Sequence, residues 1–180
     1  MPSHMNFPEK LSKPYRHTIT SRTVPLLVAN IVEHHTVTIP SSLAHAIQKT
    51  QEWLKELCEK GELADTNEAI SVLRVVLHVL RDCLTLEEAV DLGAQLPMII
   101  RGIYYDGWQP HKVPVRLNSK QKFIDAILAR GFPNAVPAER AVRDVFALLA
   151  RHCDPGEISN VVVQLPAALK DLWPKQFHTT

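Results

Sequence analysis

The chain has 180 residues, 46% hydrophobic and 22% charged, which predicts one globular domain or two small ones that share a core. Only six glycines stand against 13 prolines, a ratio that favours helices separated by prolines and argues against a β-sandwich with many glycine turns. The net charge of +1 argues against a general nucleic-acid binder or a ligand of acidic membranes.

Residues 1–40 are predicted to form an irregular N-terminal extension or arm. Prolines exclude a long helix there; they stand at Pro2, Pro8, Pro14, Pro25 and Pro40. The apolar stretch 24–32 is too short to span a membrane, and we expect it to pack against the rest of the protein or a partner chain. Glu33, His34 and His35 are adjacent potential ligands, but no H-x-x-x-H or C-x-x-C spacing supports a metal site.

Residues 41–110 are predicted to form a first four-helix unit. Its first helix begins at Ser41 or Ser42 and ends at Lys60 and Gly61, because a basic residue followed by glycine is a typical helix end. The second helix is apolar on most sides, so we expect it to be central. Its apolar residues are Ala69, Val72, Leu73, Val75, Val76, Leu77, Val79, Leu80, Cys83 and Leu84.

A capping box predicts the start of the third helix, with Thr85 as the cap and Glu88 reaching back to the Thr85 N–H. Pro97 ends this helix and opens the fourth, from Met98 to Tyr105.

Residues 118–180, after a linker at 111–117, are predicted to repeat this pattern. The tripeptide Gln-Leu-Pro at 95–97 recurs 69 positions later at 164–166, and Asp154 stands at the same offset from Thr85. Asn118 with Gln121 gives the start signal of the first helix in this unit. We therefore predict an all-α fold of two tandem, internally duplicated four-helix units that share a core.

Several of these motifs together resemble a known bacterial family. The segments are 73–81, 88–97, 104–108 with Pro110, and the second Gln-Leu-Pro with Leu172-Trp173-Pro174. They resemble the domain-of-unknown-function family numbered 2267 over roughly residues 46–174. The resemblance implies an all-helical, cytoplasmic bacterial protein and no activity.

Candidate binding residues cluster at the end of the first unit. Tyr104, Tyr105 and Trp108 lie close in sequence, with Arg101 one turn before Tyr105, and such residue types dominate binding hot spots. Two interpretations remain open: the aromatic residues cover the seam between the units, or they form a surface for a partner or ligand.

The second helix carries a possible acid–base pair. His78 lies four residues from both Arg74 and Asp82, so an Asp–His pair can be drawn. The equivalent of His78 in the second unit is Ala147, which favours a histidine on a solvated stripe. Three cysteines, Cys58, Cys83 and Cys153, lack metal-site spacing and are predicted to be reduced, mostly buried thiols of a cytoplasmic protein.

The leading functional hypothesis is a non-enzymatic protein-interaction or scaffolding module with a protein partner or self-association. The alternative is a small-ligand-binding protein or an enzyme with a pocket between the units that uses Arg74, His78 or Arg101. We predict no cofactor and no membrane partner. The helix at 86–96 has no lysine or arginine, which argues against a nucleic-acid partner.

Overall fold

The computed structural model describes residues 39–133 and 136–178. The expectations for residues 1–38, including those for His34 and His35, lie outside the described residues. The described part contains eight α-helices, two short 3₁₀ helices and no β-strand, so the all-α prediction is confirmed. The helices are α1 (Ser41–Gly61), α2 (Thr66–Cys83), α3 (Leu86–Gln95), α4 (Met98–Tyr105), α5 (Lys120–Leu128), α6 (Ala138–His152), α7 (Pro155–Gln164) and α8 (Ala167–Lys170).

Helix α2 lies in the centre of the core, as its apolar pattern predicts. It begins earlier than the apolar residues indicate, because the Asp65 carboxylate accepts hydrogen bonds from the backbone N–H groups of Asn67 and Glu68 at 2.8 and 2.9 Å. Helices α1, α4, α5 and α6 all pack against it. Its fully buried apolar side chains include Val72, Leu73, Val76, Leu77 and Leu80.

An aromatic stack fills the core beside α6. The rings of Phe146 and Trp173 are stacked with their centroids 4.2 Å apart, and Phe123 meets Phe146 edge to face at 6.2 Å. All three side chains are buried. These contacts attach α5 and the turn after α8 to α6.

Two predicted helix starts differ in detail from the structure. Helix α1 begins at Ser41, directly after Pro40, but no side chain caps it. The prediction of Asn118 as the start of α5 is wrong, because the Ser119 hydroxyl accepts the Lys122 N–H at 3.3 Å and so caps this helix. At the end of α1, Glu62 rather than Gly61 adopts the left-handed conformation, with φ of 53°.

Helices α3 and α7 lie antiparallel beside each other. At one end of the pair, the Gln164 Oε1 atom accepts the Thr85 N–H at 3.3 Å; at the other end, Gln95 Oε1 accepts the Asp154 N–H at 3.4 Å. Thr85 caps α3 as predicted, but Glu88 does not complete a capping box. The Glu88 carboxylate instead accepts a hydrogen bond from Gln164 Nε2 at 2.9 Å, so Gln164 takes the place predicted for Glu88.

The three cysteines form no disulfide. Cys153 is buried, while Cys58 and Cys83 are half-buried. Burial raises the pKa of Cys83 and of Cys153 to about 12, so both stay protonated thiols at neutral pH. Among the described helices, none is both long and apolar enough to cross a membrane.

Candidate functional site

A cleft of about 450 Å³ opens beside the C-terminal end of α2. The loop after α4 and the segment that leads into α5 form its other walls. The size falls in the range of small-molecule sites, about 300–1,000 Å³. The side chains and backbone that line it belong to His78, Arg81, Asp82, Asp106, Gly107, Gln109, Lys112, Val113, Val115 and Arg130.

Arg81 forms the base of the cleft. Its side chain is only 3% exposed, and its Nε donates a hydrogen bond to Asp82 Oδ1 at 2.9 Å. Its Nη1 donates to the carbonyl oxygen of Tyr104 and, at 3.4 Å, to that of Asp106. The guanidinium also lies 5.5 Å from the centroid of the Trp108 ring. The Nη2 group forms no hydrogen bond within the described residues and is not one of their fully enclosed polar atoms, so a ligand in the cleft can reach it.

The Asp82 carboxylate lies between two guanidinium groups. Its Oδ2 atom accepts a hydrogen bond from Arg130 Nη2 at 2.8 Å, while its Oδ1 accepts the bond from Arg81. Lys112 lines the same cleft and forms no ion pair within the described residues, and Asp106 adds a second carboxylate. The charged lining therefore carries one more positive than negative group.

His78 lies on the wall of the cleft with a defined tautomer. Its Nε2 is 2.6 Å from the Ile103 carbonyl oxygen, and because a carbonyl only accepts, Nε2 carries the hydrogen. Burial lowers the pKa of His78 below its ordinary value of 6.5, so the ring is neutral at neutral pH and Nδ1 is an acceptor. The Asp–His pair that the spacing allowed does not form, because Asp82 binds Arg81 and Arg130 instead, and the favoured interpretation of a solvated histidine gives way to a half-buried ring.

The predicted aromatic cluster lies behind the cleft rather than in its lining. Tyr104 is fully buried, and its hydroxyl donates a hydrogen bond to the Ala89 carbonyl oxygen at 2.9 Å. Tyr105 and Trp108 are half-buried and stack with ring centroids 5.4 Å apart. Gly93 makes room for Tyr105, since a Cβ atom at that position would lie 2.0 Å from the Tyr105 hydroxyl oxygen.

The other predicted site residues do not line this cleft. Arg74 is exposed on α2, and Arg101 is half-buried on α4. Arg81, Lys112 and Arg130 line the cleft but were not predicted as site residues. Arg130 lies 48 positions after Asp82, and no local pattern in the sequence indicates that the chain brings the two together.

A second groove, of about 420 Å³, lies between the N-terminal half of α1 and the corner between α3 and α4. Trp53 and His152 form part of it, with ring centroids 4.8 Å apart. His152 Nε2 also lies 2.6 Å from the Glu56 carboxylate. The exposed side chains of Leu43, Ile47 and Met98 lie on or beside the elements that form the groove. No group of three or more His, Cys, Asp or Glu side chains in the described residues is arranged to hold a metal ion.

Comparison with known proteins places the chain in a family. No curated protein matches it. A family model described as an uncharacterized conserved protein, DUF2267, matches residues 50–172. The matched region includes every residue that lines the Arg81 cleft, whereas it excludes the first nine residues of α1. The chain belongs to the DUF2267 family.

Proposed function

We propose that the protein binds a small anionic ligand in the Arg81 cleft. The observation that carries this proposal is the buried Arg81 guanidinium, whose Nη2 has no acceptor among the described residues. A carboxylate or phosphate oxygen would accept a charge-assisted hydrogen bond from this group, and such a bond is stronger than one between neutral groups. A planar guanidinium suits such anions better than an ammonium group does.

The charges and hydrogen-bonding groups of the cleft define the ligand further. The lining contains three cations, Arg81, Lys112 and Arg130, and two carboxylates, Asp82 and Asp106. This excess of positive charge favours an anion. The neutral His78 ring presents Nδ1 as an acceptor, so a ligand hydroxyl or N–H group could donate to it. We therefore propose a metabolite that combines an acidic group with a hydroxyl or N–H group.

A thermal-shift screen tests this proposal. The full chain is heated with carboxylate and phosphate metabolites and with their neutral amide or ester analogues. We expect a specific acid to raise the melting temperature because a ligand that binds only the folded state stabilises it. Lys112→Glu should remove the shift, while Lys122→Glu, an exposed change on α5 that leaves the cleft intact, should preserve it. A screen with no acid-specific shift, or an equal shift in both variants, contradicts the proposal.

A second candidate function that we propose is self-association through α1. Leu43 and Ile47 are exposed four residues apart on α1, on the half of the helix that extends beyond the family match. A second copy would supply the same two side chains, and such two-fold pairing is the commonest form of homodimer. We expect sedimentation velocity to show a dimer that Leu43→Ser with Ile47→Ser converts to a monomer and that Leu128→Ser leaves intact. A wild-type chain that stays monomeric at high concentration contradicts this candidate.

We also propose that the two halves of the helical part arose by internal duplication. Helices α3 and α7 have ten residues each and begin and end 69 positions apart. Pro97 and Pro166 follow them with nearly equal backbone angles, φ/ψ of −53°/147° and −54°/146°. Gln95 accepts a hydrogen bond at the start of α7, and Gln164 accepts one at the start of α3. These reciprocal contacts support an approximate two-fold axis between the halves. A crystal structure in which the halves could not be superposed would contradict this.

The free thiols support a further proposal, that the protein works in the cytoplasm. Cys58, Cys83 and Cys153 remain unpaired, and reducing compartments preserve such thiols. Cell fractionation with an antibody against the full chain would test the location, and recovery in an oxidising compartment would contradict it.

A further inference from the structure

The antiparallel pair α3 and α7 presents an apolar patch to solvent. Leu86 is 51% exposed, Val90 46% and Val163 60%. Leu86 and Val90 are four residues apart and therefore lie on one face of α3. Val163 lies at the same end of the pair as Leu86, because the neighbouring Gln164 accepts the N–H of Thr85, which directly precedes Leu86. Leu86 and Val163 thus lie at the same end of the helix pair, and Val90 lies about one turn further along α3.

All charged side chains of the same helix pair are acidic. Neither α3 nor α7 contains a lysine, arginine or histidine. Glu87 and Asp91 are exposed on α3, next in sequence to Leu86 and Val90, and the half-buried Glu157 lies in the first turn of α7. Burial raises the pKa of Glu88 above its ordinary value, and the nearby carboxylates of Glu157, Asp91 and Glu87 raise it further. No cation of the described residues forms an ion pair with these acidic groups.

This combination differs from an ordinary solvated surface. Single exposed apolar side chains are common and need no explanation, but three on neighbouring helices with acidic residues beside them favour an interaction surface. Exposed carboxylates that form no ion pair within the described part of the chain, such as Glu87 and Asp91, favour a partner that supplies positive charge. Helical spacing of Leu86 and Val90 suits a partner that itself presents apolar side chains at helical intervals.

We propose that the face formed by Leu86, Val90 and Val163 is a docking site for a basic amphipathic helix of a partner protein. The apolar side of that helix packs on the three exposed side chains. Its lysine or arginine residues flank this contact and pair with Glu87 and Asp91. This proposal is independent of the Arg81 cleft, because none of the residues that carry it lines that cleft.

The probe for this site is a fluorescein-labelled synthetic peptide that places leucines on one face of a helix and lysines on both flanks. Binding to the full chain is followed by fluorescence anisotropy. The same composition in scrambled order, which has no apolar face, and a version with glutamate in place of lysine serve as control peptides. We expect the basic amphipathic peptide to bind and both control peptides to bind at least about tenfold more weakly, a difference worth about 1.4 kcal/mol.

Surface variants locate the bound peptide. Leu86→Ser with Val163→Ser should weaken binding about tenfold, because two apolar contacts of the docking face are lost. Glu87→Gln with Asp91→Asn should weaken binding and reduce its dependence on salt. Leu128→Ser removes an exposed leucine on α5 and should leave binding unchanged.

Three results would overturn the proposal. They are no binding of the basic amphipathic peptide, equal binding of the scrambled peptide, and unchanged binding in the Leu86→Ser/Val163→Ser variant. Circular dichroism and melting curves of each variant show that the changes leave the fold intact. Because all exchanged side chains are exposed, we expect melting temperatures close to that of the wild-type chain.

Discussion

Gln95 and Gln164 occupy matching places at opposite ends of the α3–α7 pair. Each side-chain oxygen accepts the backbone N–H of the residue that caps the other helix, at 3.4 Å from Asp154 and 3.3 Å from Thr85. The two glutamines do not contribute equally to stability, since Gln164 also donates a second hydrogen bond, to the buried Glu88 at 2.9 Å. This difference predicts different costs of removing the two side chains.

Gln164→Ala should lower the free energy of unfolding by about 1–3 kcal/mol, because it leaves the buried Glu88 carboxyl group without its donor. Gln95→Ala should cost only about 0.5–1 kcal/mol, the value of one exposed hydrogen bond. Urea unfolding followed by circular dichroism measures both. Gln121→Ala, which removes an exposed contact with Asp125 within α5, serves as the control for loss of a surface glutamine. An equal cost for Gln95 and Gln164 would contradict the role assigned to Glu88.

Gly93→Ala should displace the Tyr105 ring. The added Cβ atom would lie 2.0 Å from the Tyr105 hydroxyl oxygen, so the ring has to move and give up its bond to the Val90 carbonyl. This loss opposes the gain of about 1 kcal/mol that alanine normally brings to a helix. In a Tyr105→Ala background the same change should become stabilising, and thermal denaturation of the double-mutant cycle measures the difference.

Gly102→Ala is the matched control for this prediction. Gly102 is a helical glycine on α4, and a Cβ atom there would meet nothing within 4 Å. We expect this variant to be stabilised by roughly 0.5–1 kcal/mol. If Gly93→Ala stabilised the wild-type chain as much as Gly102→Ala does, Tyr105 would not be packed against Gly93 in solution.

Arg81→Lys should destabilise the protein by about 2–4 kcal/mol. A lysine keeps the charge but cannot contact Asp82 and the carbonyl oxygens of Tyr104 and Asp106 together, and a broken buried pair costs more than an exposed one. Arg74→Lys, an exposed change on the same helix, should have almost no effect. Chemical denaturation compares the two variants, and similar midpoints would show that Arg81 is not buried as described.

Glu56 should contribute stability that is lost in acid. Burial alone would raise its pKa, but hydrogen bonds and charges from His152, Lys60 and Arg151 hold the pKa at about 2, below the ordinary 4.5. As the pH falls from about 4.5 towards 2, the unfolded chain takes up the proton first, so this contribution is present above pH 4.5 and disappears towards pH 2.

Glu56→Gln should therefore lower the melting temperature at neutral pH and match the wild-type chain near the bottom of that pH range. Melting curves over a pH series measure the difference, with Glu59→Gln as the exposed control on the same helix. A difference between the wild-type chain and Glu56→Gln that stayed constant with pH would contradict the ion-pair assignment.

Local signals in the sequence were sufficient for most of the fold. The apolar residues on most sides of α2 predicted its central position in the core. The caps Thr85 and Asp154 predicted where α3 and α7 begin. These features depend on neighbours within one or two turns of helix, so one sequence contains the necessary information. The start of α5 was displaced by one residue because Asn118 and Ser119 are both good caps and only the backbone path decides between them.

The candidate site was harder to predict because its contacts are distant in sequence. A helical pattern counts an arginine such as Arg81 as exposed. Its burial depends on the carbonyl oxygens of Tyr104 and Asp106, 23 and 25 residues away. The same holds for Glu88, whose partner Gln164 lies 76 residues further along the chain. The spacing of residues along one helix carries no information about such distant partners.

The contact between Thr85 and Gln164 also bears on how the chain is made. A ribosome synthesises Thr85 long before Gln164, so the start of α3 lacks this acceptor while most of the second half is still being translated. The first half leaves the exit tunnel with its apolar surfaces uncovered and reaches its final packing only when the last helices emerge. Completion of this fold is therefore late in synthesis rather than progressive from the N-terminus.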